Sequence, residues 1–230
     1  MQFMAKPKLP VDIYISCKVN PINNTCSTNF LGLTLNNTLS RKTHIDQLSP
    51  KLNSACYVIR STRSVISMKN LRTIYFSYVH SIVAYGIIFC GNSTYSNNIF
   101  KLQKRAIRII MNASNRVLWC EMFKKLNILP LHSQYILSLL FFVVKNIEKF
   151  ISNSKVHSSN IRHRSDLYAP SIKLTKYQKA VYYSEIKIFN HLPQNIKSMS
   201  WDVKKFKLVL KRFLLIGSFL YTWWIFWLDF

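Results

Sequence analysis

Hydrophobic and polar positions change their period along this chain. Val11, Ile13, Ile15 and Cys17 alternate with Asp12, Tyr14 and Ser16, the two-residue period of a half-buried strand. Turn-forming residues follow at Asn20, Pro21, Asn23 and Asn24, and a second strand-like run from Thr28 to Leu35 contains Phe30, Leu31, Gly32 and Leu33. The two runs predict a β-hairpin at the N-terminal end.

The period then becomes helical. Ile45, Leu48, Leu52, Ala55, Cys56 and Ile59 recur at intervals of three and four, one apolar stripe of a helix entered near Thr43. After a break at Arg60, Ser61, Thr62 and Arg63, a second helix is expected from Ser67, with Leu71, Ile74, Tyr75, Tyr78, Ile82, Tyr85 and Phe89 on one face. Rings at that spacing read as packing rather than as a platform for bases. Beyond Pro130 the run YILSLLFFVVKNI is apolar almost all round, as in a helix central to a bundle, and is too short to span a bilayer.

Ser152 to Thr175 turns polar, with Arg162, His163, Arg164, Pro170 and Lys173, and reads as a linker or extended basic segment. A helical stretch from Tyr177 to Asn190, a break at His191, Leu192 and Pro193, and a basic helix from Val203 to Leu215 follow. The expected fold is therefore mainly α: a short β-hairpin, a helical bundle and a small helical C-terminal region. The units are taken as 1–40, 41–150, a polar basic linker at 151–175, a basic region at 176–215 and an apolar tail at 216–230.

The sharpest local pattern is IFKLQKRAIRII, from Ile99 to Ile110. Leu102, Ala106, Ile109 and Ile110 face one way, while Lys101, Lys104, Arg105 and Arg108 form a narrow stripe on the other side. A basic stripe on a docked helix can track phosphates. An ordinary solvated face mixes both signs of charge, yet no acid lies between Asp46 and Glu121.

Composition generalises that local signal. The 230 residues carry 32 Lys and Arg against 8 Asp and Glu, a net charge of +24, with 49% apolar content. A folded chain this basic repels itself unless a polyanion neutralises it, so nucleic acid is the first partner to consider. With 4 glycines there is no Gly-rich phosphate loop or dinucleotide fingerprint. Cys17, Cys26, Cys56, Cys90 and Cys120 are odd in number and far apart, unlike a disulfide framework, and the six histidines are not at metal-ligand spacing with them. The N-terminal residues lack a signal-peptide core, which points to an intracellular protein of the cytoplasm or nucleus, not a secreted one.

Several segments together resemble the distal part of reverse transcriptases encoded by LINE-type (non-LTR), jockey-like retrotransposons. The resemblance is carried by NFLGLTLNNTLSRKTHIDQL, with Phe30, Leu31, Gly32, His44 and Ile45; by KLQKRAIRII, with Leu102, Gln103, Lys104, Arg105 and Arg108; and by YYSEIKIFNHLPQNIK, with Asn190, Leu192 and Pro193. It covers roughly residues 10 to 215 and implies the end of the palm, a thumb and a small C-terminal region. Phe30, Leu31 and Gly32 would then be primer-grip-like, and the partners RNA and an RNA:DNA hybrid. The family polymerase works with Mg²⁺ held by carboxylates that include an adjacent Asp pair. Here the nearest two acids, Glu185 and Asp202, are 17 positions apart, so no catalytic or metal-ligating residue and no cofactor are assigned to this chain. The family's fingers and most of its palm, which precede the FLG strand, are absent from it and are expected as its missing partners.

The residues from Leu220 depart from the family pattern, and Phe213 to Phe230 reads FLLIGSFLYTWWIFWLDF. A membrane contact through it is the less favoured alternative, weakened by Asp229 and by a length at the lower limit for a span. The alternatives to a polymerase fragment are thus a tail-anchored basic membrane protein, or a stand-alone basic RNA-binding protein of maturase or ribosomal type.

Overall fold

In the first described segments the chain makes two separate antiparallel hairpins. Strand β1 (Ile15–Cys17) pairs with β2 (Asn20–Ile22), and β3 (Ser27–Phe30) pairs with β4 (Leu33–Asn36). This computed structural model describes residues 1, 3, 15–17, 20–22, 24–114, 116–156, 166–173 and 180–217. The expected single hairpin is thereby corrected: Asn20 and Pro21 sit in a strand, and the run from Thr28 to Leu35 folds back on itself at Leu31 and Gly32. Both turn residues have positive φ, 47° and 76°, as a two-residue turn matching the twist of its strands requires. Val11 to Tyr14 of the first predicted strand, and the tail from Ser218, lie outside the described residues.

Eleven α-helices follow among the described residues. Helix α1 (Lys42–Thr62) buries the predicted stripe of Ile45, Leu48, Leu52, Ala55, Cys56 and Ile59, and runs through Arg60 to Thr62 instead of breaking there. The hairpin is seated on it: Thr34 N–H donates to His44 Nδ1 at 3.4 Å, and the Thr34 hydroxyl bonds Gln47 Oε1. Helix α2 (Met68–Ile74) starts where predicted, with Ser67 Oγ accepting from Asn70 N–H.

Beyond it the predicted face is wrong by a fraction of a turn. Leu71, Tyr75, Val79 and Val83 are buried, whereas Tyr78 and Tyr85 are 43% and 52% exposed. A strict four-residue repeat drifts about 40° per step around a regular α-helix. Here Tyr75–His80 winds as a π-helix before α3 (Ser81–Ala84), and its wider turn holds the repeat on one side. Extended Tyr85 and left-handed Gly86 (φ 69°) then end the helix, and α4 (Ile87–Cys90) starts afresh.

Helices α5 (Ser96–Met111), α6 (Trp119–Leu126) and α7 (Leu131–Lys145) complete the bundle. Helix α7 buries nine of its fifteen residues and touches α4, α5 and two C-terminal helices, the central place its sequence predicts. After a short turn at Ile147–Lys149 come α8 (Asn153–Val156), α9 (Val181–Asn190), α10 (Gln194–Lys197) and α11 (Val203–Ile216). Both α9 and α11 pack on α7, and one apolar cluster runs from Ile45 to Leu214.

Part of the polar segment is docked. Leu167 is buried, and the Asn190 carboxamide accepts from Leu167 N–H at 2.9 Å and donates to Leu167 O at 2.8 Å. Lys197 Nζ reaches Asp166 Oδ1 at 2.8 Å and Asn190 O at 2.6 Å. Asn190, Leu192 and Pro193 therefore act architecturally: the first brackets the returning chain, the second is buried, and the third precedes α10, where no N–H is needed.

Candidate nucleic-acid interface

The amphipathic pattern of α5 dictates its seat. Ile99, Gln103, Ala106, Ile107 and Ile110 are buried, and the helix lies along α1, its most extensive partner. Cations on the opposite side are left near the surface, but they do not share one environment. Lys101 is exposed. Lys104 lies over Phe100, one turn earlier in the same helix, with Nζ 4.6 Å from the ring centre, and burial, then Arg108, then Lys101 lower its pKa. Arg105 and Arg108 turn toward α1.

There they meet Arg60 and Arg63 of the α1 carboxyl end. The four arginines, with Ile109, Asn112 and Ala113, line a cleft of about 510 Å³. Arg105 Nη1 donates to Asn53 Oδ1 at 3.3 Å, and Arg108 Nε is buried with no hydrogen-bond partner. Among the described residues no carboxylate lines the cleft. Both helices end beside it, α1 at Arg63 and α5 at left-handed Asn112. Helix ends of this sense each carry roughly half a negative charge, so two of them offset only about a quarter of four guanidinium charges. The cleft stays strongly positive, and planar guanidinium groups match the oxygens of phosphate.

Comparison with protein-family models, with curated proteins and with solved structures finds no match.

Phe30, Leu31 and Gly32, expected as primer-grip-like, lie elsewhere. Phe30 and Leu31 are 60% and 74% exposed at the tip of the β3–β4 hairpin and do not line the cleft. The tip is held by Tyr85, whose hydroxyl donates to Leu31 O and whose ring sits against Gly32, 3.4 Å from where a Cβ would be. Gln103, embedded in the basic pattern, faces the core: its Nε2 donates to Tyr75 Oη at 2.9 Å and Leu129 O at 3.0 Å, and its Oε1 accepts from Leu131 N–H at 2.9 Å.

Sequence reading found Arg105 and Arg108 and missed Arg60 and Arg63, which it placed in a break between helices. A signal was present in the three-residue spacing of these arginines at the end of an apolar stripe and in the absence of acids from residue 47 to 120. Which cations they would face was not in it. Three acids have structural surroundings instead: Asp166 pairs with Lys197, Asp202 accepts from the N–H groups of Lys204 and Lys205, and Glu185 is buried.

Proposed function

We propose that this chain binds the phosphate backbone of nucleic acid in the cleft between α1 and α5. The observation that carries this reading is the convergence of Arg60, Arg63, Arg105 and Arg108 on one cleft. Guanidinium groups neutralise phosphates, release their counterions and so give affinity with little choice of sequence. Together with the resemblance of the FLG, LQ-basic and N-x-L-P segments, this favours the thumb and following region of a LINE-type reverse transcriptase, holding RNA and an RNA:DNA hybrid. The catalytic carboxylates and their Mg²⁺ would belong to palm residues outside this chain, so the chain alone is expected to extend no primer.

Fluorescence anisotropy of a labelled RNA:DNA hybrid, titrated at several salt concentrations, tests this. Intact chain is expected to lose affinity steeply as salt rises. Arg105→Ala with Arg108→Ala, or Arg60→Ala with Arg63→Ala, should each reduce the log–log slope by roughly 2. Slopes unchanged in both double variants would sink the cleft as the binding site, and primer extension on an RNA template with Mg²⁺ would sink the fragment reading.

A further inference from the structure

Helix α11 presents a surface that the cleft does not use. Its inner side is settled: Phe206, Leu210 and Leu214 are buried against the bundle. Its outer side is unusual in mixing exposed apolar groups with cations. Trp201, just before the helix, is 75% exposed, Leu208 51% and Ile216 75%, and Lys204, Lys205 and Arg212 are exposed among them. At about 100° per residue, Lys204, Lys205, Leu208, Arg212 and Ile216 fall within an arc of about 120°. Lys205 Nζ lies 5.2 Å from the Trp201 ring centre.

We infer that this outer face of α11 docks on the surface of an anionic phospholipid bilayer, with the helix lying in the interface. Two features of the face decide between lipid and nucleic acid. Leu208 and Ile216 have no flat ring to stack on a base, whereas acyl chains accept aliphatic groups. Trp201 beside Lys205 pairs an amphipathic ring with a cation whose methylene stem can lie in the apolar layer while its ammonium meets headgroups.

The charge is one-sided. Between Asp202 and Asp229 the sequence carries five cations and no acid, while Asp202 caps the helix through Oδ1 and lies with Oδ2 3.7 Å from Lys205 Nζ, an exposed pair that a headgroup phosphate can replace. The exposed apolar stripe also leads in sequence directly into FLYTWWIFWL. Among the described residues no single helix is long and apolar enough to cross a membrane. Anionic headgroups attract each surface-proximal Lys or Arg by about 1 kcal/mol, so three such cations change affinity by roughly 100-fold.

Flotation of the full chain with vesicles of phosphatidylcholine alone, or with phosphatidylserine added, tests this. Binding is expected only to the anionic vesicles. Lys204→Gln with Lys205→Gln and Arg212→Gln should weaken it by roughly 100-fold, and Trp201→Ser with Leu208→Gln and Ile216→Gln should abolish it. All six positions are exposed, and unchanged affinity of both triple variants for the RNA:DNA hybrid shows that they fold. No binding of the intact chain to anionic vesicles overturns the inference. So does vesicle binding that survives both variants, or a loss of hybrid affinity in them, which would make α11 a nucleic-acid surface instead.

Discussion

Gln103 stands between Leu102 and Lys104 on a helix marked by its cations, yet its carboxamide is 1% exposed and makes three hydrogen bonds. Helix α7 begins after Pro130 with no capping side chain of its own, and Gln103 Oε1 supplies an acceptor for Leu131 N–H from α5. Replacing Gln103 by Leu keeps the volume but strands Tyr75 Oη, Leu129 O and Leu131 N, at about 1–3 kcal/mol for a buried polar group left unpaired. Urea unfolding of Gln103→Leu should therefore show a loss of about 3 kcal/mol or more, against little change for Lys101→Ala. Glu185 gives the opposite signature. It is 2% exposed, its Oε1 has no hydrogen-bond partner, and burial pushes its pKa from the usual carboxylate range up to about 7. Between those two values the folded state holds a proton that the unfolded state has released, so stability falls as pH rises from about 4.5 to about 7. The Glu185→Gln variant should lack that slope and gain on the order of 2 kcal/mol relative to the parent at pH 8. Subtracting the two stability–pH profiles isolates Glu185 from the buried histidines.

At the scale of elements, periodicity found every long helix but misjudged what happens inside one. The apolar stripe of α1 repeats at mixed intervals of three and four, which fits a regular helix, and all six predicted residues are buried, joined by His44 under the hairpin. From Leu71 to Val83 the repeat of buried residues is strictly four, whereas the spacing of a regular helix points to Tyr78 and Ile82 in place of Val79 and Val83. The π segment from Tyr75 to His80 makes the four-residue repeat workable, by fitting an extra residue into a widened turn. Deleting exposed Ser77 should therefore return the segment to an α-helix with its core stripe in phase, costing no more than about 1–2 kcal/mol. Deleting Ser54 from the regular α1 rotates all that follows by about 100°, and thermal denaturation should show no cooperative transition. The hairpin error has a similar origin: alternation marks a strand but does not say where it folds back. Leu31 in a left-handed conformation, beside Gly32 and under Tyr85, is a local strain that the tertiary contact supports.

Over the whole molecule, a net charge of +24 on one apolar core leaves repulsion that few ion pairs relieve. Raising sodium chloride screens exposed charges beyond about 10 Å, so the melting temperature should rise with salt. About 1–2 kcal/mol of relieved repulsion would appear as roughly 2–8 °C in a thermal scan, and a short RNA:DNA hybrid at low salt should do the same by binding the folded state. Stability that falls with added salt would mean that attractive pairs dominate instead. The sequence by itself determined the mainly helical class, the stripe of α1, the central place of α7 and the basic side of α5, because these depend on the order of polar and apolar residues along a single element. It also marked Asn190, Leu192 and Pro193, without saying that they bracket Leu167 and start α10. Only the tertiary structure decided that Arg60 and Arg63 face Arg105 and Arg108, and that Trp201, Leu208 and Ile216 stay uncovered. Those facts depend on which helix lies beside which, and the packing of one shared core sets that arrangement, which no single segment encodes.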